Sequence, residues 1–469
     1  MIGNVVIFLL VFHISFIVFK AKRNIFKKRV GIFLIKMDCR DLEKLFTKIE
    51  RNVEELSGNI LFFFHFTFHD LRHCKNMYEY LEVLRKSVRL EYPELWSLRM
   101  AIYLHDTGML INPRYWHKLG IPKDVLSPPG KDLIAELVED AIVKEFLGGK
   151  SFDDAFFDEN GCLRLPTALK EKPWDEFSLV EKAVVRAMMR KFHPQIGDWA
   201  VRKRFIGEHP IECRKIGEMV GEMVRLHEGK YGERVKNLGL WDIAGSPVSV
   251  DQRKTTALLI LLDSLDCAGQ SRASPGTLDE IIDEVRMIEE KEIEIEAKRD
   301  GGKREGYLPH WVFKKYIKEV VIHPNQIKIV TETSNPSYLA GILFFEIAKN
   351  VWPKYALASD ILKGYGFHFD LIVQMPSQKY GELLIDEDLM RLGKEFSETV
   401  VDSSELPPQL AEKYKIGKLR LPRMLALLLG YGSTYNEYAN RLAKEHVCRL
   451  LAKLSNEQRG QLEQIFRCD

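Results

Sequence analysis

Several common routes to function are closed to this chain of 469 residues. It has no GxxxxGK[ST] loop and no GxGxxG after a strand, so neither Gly-rich phosphate cradle is present. No cysteine pair is spaced CxxC. The seven cysteines (Cys39, Cys74, Cys162, Cys213, Cys267, Cys448, Cys468) are scattered and odd in number, which excludes a zinc knuckle or a disulfide framework and reads as reduced thiols in a cytoplasmic protein. Net charge is nearly absent. With 69 basic and 67 acidic residues the formal balance is +2, so no global field recruits nucleic acid or an anionic membrane. A small phosphorylated ligand needs only a local basic patch. Internal repeats and low-complexity stretches are lacking, and 46% hydrophobic residues supply a sizeable core.

One long apolar run stands out. Residues 2–19 carry no charge and are followed at once by Lys20, Lys22, Arg23, Lys27, Lys28 and Arg29. The run is a marginal membrane-span candidate whose cationic flank would keep the rest of the chain cytoplasmic. The competing reading starts translation at Met37, which opens an amphipathic helix with Leu42, Leu45, Ile49, Val53 and Leu56 on one face. Any membrane contact would run through residues 2–19 alone.

The fold class reads as mainly α: a helical bundle, then a small α+β domain, then a helical C-terminal tail. Residues 1–36 form the hydrophobic N-terminal segment and 37–275 the bundle. Pro- and Gly-punctuated residues 112–175 read as an insertion of loops around one helix, Lys131 to Phe146. In 276–380, a charged helix over 278–298 reads as a solvated face. Strand patterns follow at Glu319–Ile322, Gln326–Glu332 and Phe367–Gln374, with helices between the last two. Residues 381–469 read as helical, ending in Leu-rich segments over 419–429 and 438–454.

The strongest chemical signal is His105-Asp106 in LHDTG, at the end of an apolar helix. Adjacent helical residues point about 100° apart, so both reach one ion only near a helix end, which Gly108 would supply. His73 lies upstream, with His69 four residues before it. Downstream, Asp263 and Asp266 share a face of a leucine-rich helix. Two carboxylates there would be costly to leave ionised and unpaired, and a metal ion is the natural remedy. Asp266 reads as an outer partner, or as a cap or salt bridge. His193 (RKFHPQ) and His227 (VRLHEG) complete the set, with His209 competing for the place of His227.

This H…HD…D pattern resembles the HD-domain phosphohydrolase superfamily, over roughly residues 60–270. It is most similar to the branch found beside Hsp90-like ATPases. That branch's H-G-x-x-H-S motif is met by His69-Asp70-Leu71-Arg72-His73-Cys74, and its L-x-D-x-L-D by Leu261-Leu262-Asp263-Ser264-Leu265-Asp266. The resemblance implies metal ligation by His73, His105, Asp106, His193, His227 and Asp263, with His105 and Asp106 at the catalytic heart. It implies two divalent ions, from Mn, Fe, Ni, Co or Zn, and hydrolysis of a phosphate ester of a nucleotide or similar small molecule. Arg190, Lys191, Arg253 and Lys254 are candidates to position the phosphate, although exposed Lys and Arg are common without such a role. The chain departs from two branches. Met109 follows Gly108 where the cyclic-dinucleotide branch has Lys, and Gly-Tyr-Pro is missing. The longer HD motif of the triphosphate-releasing branch is missing as well. The second reading is a metal- or nucleotide-binding regulatory module acting through its C-terminal half, which could also close the site, form a homo-oligomer interface or hold a partner.

Overall fold

A computed structural model describes residues 71–127, 132–205, 211–242, 249–269, 278–298, 305–376, 381–414, 418–454 and 456–468. The N-terminal segment, the helix expected after Met37, His69 and His209 lie outside the described residues.

Five helices build the scaffold of the site: α1 (Leu71–Leu84), α2 (Tyr92–Leu104), α3 (Leu179–Ala200), α4 (Ile211–Leu226) and α5 (Gln252–Leu265). Their starts follow from sequence. Glu91 and Glu94 form a reciprocal capping box at α2, Ser178 and Glu181 do the same at α3, and the Asp251 carboxylate accepts from the Lys254 N–H at α5. Buried Leu98, Ile102, Val184, Met188, Val220, Met223, Leu258 and Leu262 form the seam between them. α2 packs on α4 and α5, and α3 on α4 and on the short helix Thr107–Leu110. Gly108 makes that last contact possible, because a Cβ there would run into the His193 carbonyl.

The described residues of the segment 112–175 fold as short helices over α3, anchored by buried Trp116, Phe152 and Phe156. The single helix expected over 131–146 is two, Leu133–Val138 and Ala141–Leu147. The chain breaks at Asp140, whose side chain caps the second by accepting from the Ile142 N–H.

The helix expected to present a solvated face, α6 (Leu278–Ala297), instead buries Glu289, Glu292 and Glu296. Arg423 is fully buried among them. Its guanidinium bonds Glu289 and reaches Glu296 at 2.7 Å, while Arg186 of α3 meets Glu292 at 2.6 Å. Burial penalises the Glu289 charge, but the two guanidiniums outweigh it and hold that carboxyl below its usual range.

After α7 (Leu308–Lys314) comes a four-stranded mixed sheet. β3 (Ile317–His323) runs antiparallel to β4 (Gln326–Thr331), and β4 is parallel to β5 (Asp370–Gln374). The latter pairs antiparallel with β6 (Glu382–Leu384). The β1–β2 pair is a minor one, Leu240–Asp242 with Ser249–Asp251. The β4–β5 crossover is mostly helical: α8 (Pro336–Gly341), a π-helical stretch over Ile342–Val351, and α9 (Trp352–Leu362). α9 packs on α5, where Leu357 and Ile361 cover Ile260 and Leu226.

The C-terminal part holds α10 (Glu387–Glu398), the pair β7 (Val400–Asp402) and β8 (Lys418–Arg420), α11 (Leu421–Gly430), α12 (Asn436–Leu451) and α13 (Asn456–Phe466). A disulfide joins Cys448 to Cys468, Cα atoms 5.6 Å apart, which corrects the reading of all cysteines as reduced thiols. Spacing gave no hint, because the two approach only when α13 folds back on α12. Cys74, Cys162 and Cys267 take no part in a disulfide among the described residues. Among the described residues no helix is long and apolar enough to cross a membrane.

Candidate metal centre

Each histidine of the centre sits where a helix begins, ends or loses its regular bonding. α2 ends at Leu104, and Asp106 leaves helical geometry at φ −101°, ψ 13°. His105 and Asp106 can therefore face one point. The His105 Nδ1 lies 2.8 Å from the Ile102 carbonyl, one of those a helix end leaves without an intrahelical donor. His227 follows the last residue of α4 and uses the Val224 carbonyl in the same way, at 2.6 Å. His193 lies inside α3, but Pro194 follows it. Proline has no N–H to offer the carbonyl four residues back, at Arg190, and the His193 Nδ1 takes that carbonyl at 3.1 Å. His73, in the first turns of α1, has no such carbonyl. Its Nδ1 meets Asp266 Oδ2 at 2.6 Å, and Asn76 donates to Asp266 Oδ1 at 2.9 Å.

All four Nδ1 atoms thus face acceptors. A neutral ring with its proton there would turn its Nε2 lone pair inward. The inward atoms converge as two groups. His73, His105, Asp106 and Asp263 form one, and Asp106, His193 and His227 the other, with ligand atoms within 4.8 Å of one another. In the first, His73 Nε2 is 3.0 Å from His105 Nε2 and 3.3 Å from Asp263 Oδ1, while His105 Nε2 is 2.8 Å from Asp106 Oδ2. In the second, Asp106 Oδ1 is 3.7 Å from His193 Nε2 and 3.5 Å from His227 Nε2, which are 3.4 Å apart. Asp106 therefore turns one oxygen to each group. Lone pairs facing lone pairs and carboxylate oxygens need a cation between them. Imidazole and carboxylate donors without thiolate fit a divalent transition metal.

The electrostatics agree. Burial would lower the His105 pKa, but Asp106 and Asp263 outweigh it and push it up to about 10. A proton thus stands where an ion would. Burial dominates at His193, which falls to about 4 despite Glu228 and Asp106. The Asp263 carboxyl lies well below its usual range because Lys354, His105 and His73 more than offset its burial. Glu228, half-buried and 3.9 Å from His193 Nε2, is likewise held low by Lys230 and the two nearby histidines against the effect of burial.

The four cations expected to position a phosphate do not share one fate. Lys191 is ion-paired with Glu136 on the helix Leu133–Val138. Arg253 donates to the Tyr365 hydroxyl. Lys254 is buried against Glu94 at 2.6 Å and donates to the Arg89 carbonyl. These three are engaged by those groups rather than turned to the centre alone. Arg190, half-buried and one turn before His193, lies over the Tyr307 ring at 5.6 Å with no carboxylate in ion-pair range among the described residues. Two groups went unforeseen. Glu228 is adjacent to a ligand and offered a weak signal. Lys354, bound to Asp263 from 91 residues downstream, offered none.

No curated protein and no solved structure matches this chain. The HD-CE family model matches residues 63–327, more than half of the chain and a span that holds all six converging residues. With the match covering the bundle from before α1 to β4, the chain belongs to the HD-CE family.

Proposed function

We propose that this protein is a metal-dependent phosphohydrolase that cleaves a phosphate ester of a nucleotide or similar small molecule. The observation that carries the reading is Asp106, whose two oxygens face two separate histidine groups. Paired divalent ions held there would supply a water of lowered pKa and Lewis-acid contacts for the phosphoryl oxygens. His73, His105 and Asp263 would hold one ion and His193 and His227 the other, with Asp106 offering an oxygen to each group. Asp266 fixes the His73 ring, and backbone carbonyls fix the other three, so the ligands are oriented before any ion arrives. Arg190, stacked on Tyr307, is the phosphate-binding cation at the His193 end.

The test is metal analysis followed by turnover of phosphate esters with Mn, Fe, Ni, Co and Zn. About two equivalents are expected. Asp106→Ala removes the shared ligand, so both ions and all turnover go together, whereas His227→Ala loses one ion first. Metal uptake without turnover of any ester would favour a binding or regulatory module. No uptake at all would sink the hydrolase.

A further inference from the structure

The family match ends at residue 327, yet the centre is touched by a residue beyond it. Lys354, in the first turn of α9, places its Nζ 2.5 Å from Asp263 Oδ2. Asp263 divides its oxygens: Oδ1 faces His73 and His105, and Oδ2 faces the lysine. The lysine stem crosses the turn after α4. Gly229 stands there at φ +72°, and a Cβ on it would meet Lys354 Cγ at 3.3 Å. The side chain thus passes two residues beyond His227 of one ligand group and ends at Asp263 of the other. Its side chain is 21% exposed against 10% for Asp263, so it covers the carboxylate from the solvent side.

We propose that Lys354 is a phosphate-positioning residue, supplied by the C-terminal half to hold a phosphoryl oxygen of the substrate at the Asp263 end of the centre. The inference rests on the phosphohydrolase reading and deepens it. A divalent ion on Oδ1 would take over the neutralisation of Asp263 and repel the ammonium beside it. An anion on the ions would restore the balance. The four-carbon stem, which runs past Gly229, lets Nζ swing to it without moving the helix. Arg190 stands at the His193 end, so the two cations would grip the phosphoryl group from opposite sides. The competing role is a plain ion pair that fastens α9 to α5.

The full-length, metal-loaded protein is titrated with inorganic phosphate by calorimetry, with metal content measured on the same samples. Lys354→Gln keeps a donor for Asp263 but loses the charge, and Lys354→Arg keeps both. Expected are unchanged metal content throughout, about tenfold weaker phosphate binding in the Gln variant, and near-parental binding in the Arg variant. With an ester substrate the Gln variant shows a KM raised by a similar factor. Phosphate binding equal to the parent in Lys354→Gln overturns the proposal, as does loss of metal in that variant, which would mean the lysine acts only through Asp263. A parent that turns over an ester while Lys354→Gln is unaffected removes this inference and leaves the hydrolase standing. A loaded parent that binds no phosphate and turns over no ester removes both.

Discussion

His105 and His193 serve one centre from opposite protonation states. His105, pushed up to about 10, holds a proton across the neutral range, while His193, lowered to about 4, is already neutral. An ion can use His105 only after its Nε2 proton leaves. Uptake at the first ligand group should therefore release close to one proton, and apparent affinity should rise about tenfold per pH unit between pH 7 and 9. Titrations of Zn or Mn in buffers of differing ionisation heat would measure it. Uptake without proton release would contradict the assignment of the proton to His105. At this scale the six converging residues were legible in the sequence, because His and Asp at helix ends beside apolar runs stand out from their surroundings. Their Nδ1 partners were only partly so. Asp266 lay three residues from Asp263 and was read as an outer partner. The carbonyls of Ile102, Arg190 and Val224 carry no residue signature at all.

Pro194 shows how an element can be spoiled locally to build a site. Interior proline costs a helix about 3 kcal/mol, yet here it frees the carbonyl that orients His193. Pro194→Ala should raise the melting temperature and weaken metal binding at the His193–His227 group together; both measured on one sample decide it, and a more stable variant with unaltered metal affinity would refute the account. The buried charges of α6 make the opposite case. Arg423→Leu leaves Glu289 and Glu296 short of their main partner, and should destabilise by about 3–5 kcal/mol in chemical denaturation. A loss under about 1 kcal/mol would restore the solvated-face reading that the sequence suggested. Glu-rich helices usually do face water, and the arginine that overrides this rule is 134 residues from Glu289. The strands were legible by alternation from Ile317 to Gln374. β6 was not, since three residues give alternation no length to register, and a π-helical stretch has no compositional mark.

Over the whole molecule, the described residues form one compact unit, and the helical bundle leans on the C-terminal half of the chain. α5, which carries Asp263 and ends at Asp266, is covered by α9, and Arg186 of α3 enters the charge cluster shared by α6 and α11. The order of helices and strands was readable from periodicity. Their mutual packing was not, because partners such as Asp263 and Lys354 or Glu289 and Arg423 share no local pattern.

The β4–β5 crossover also restricts where the chain can change length. Its strands are hydrogen-bonded side by side, so both ends of the intervening helical run are anchored, and Lys354 has a fixed angular phase relative to them. One residue gained or lost between β4 and Lys354 would swing its ammonium about 100° around the helix axis, away from Asp263. Natural length variation should therefore be tolerated in the looped 112–175 segment and purged from 332–354. A π-helical stretch, which packs an extra residue into a turn, is the kind of compensation a chain would retain after such an event.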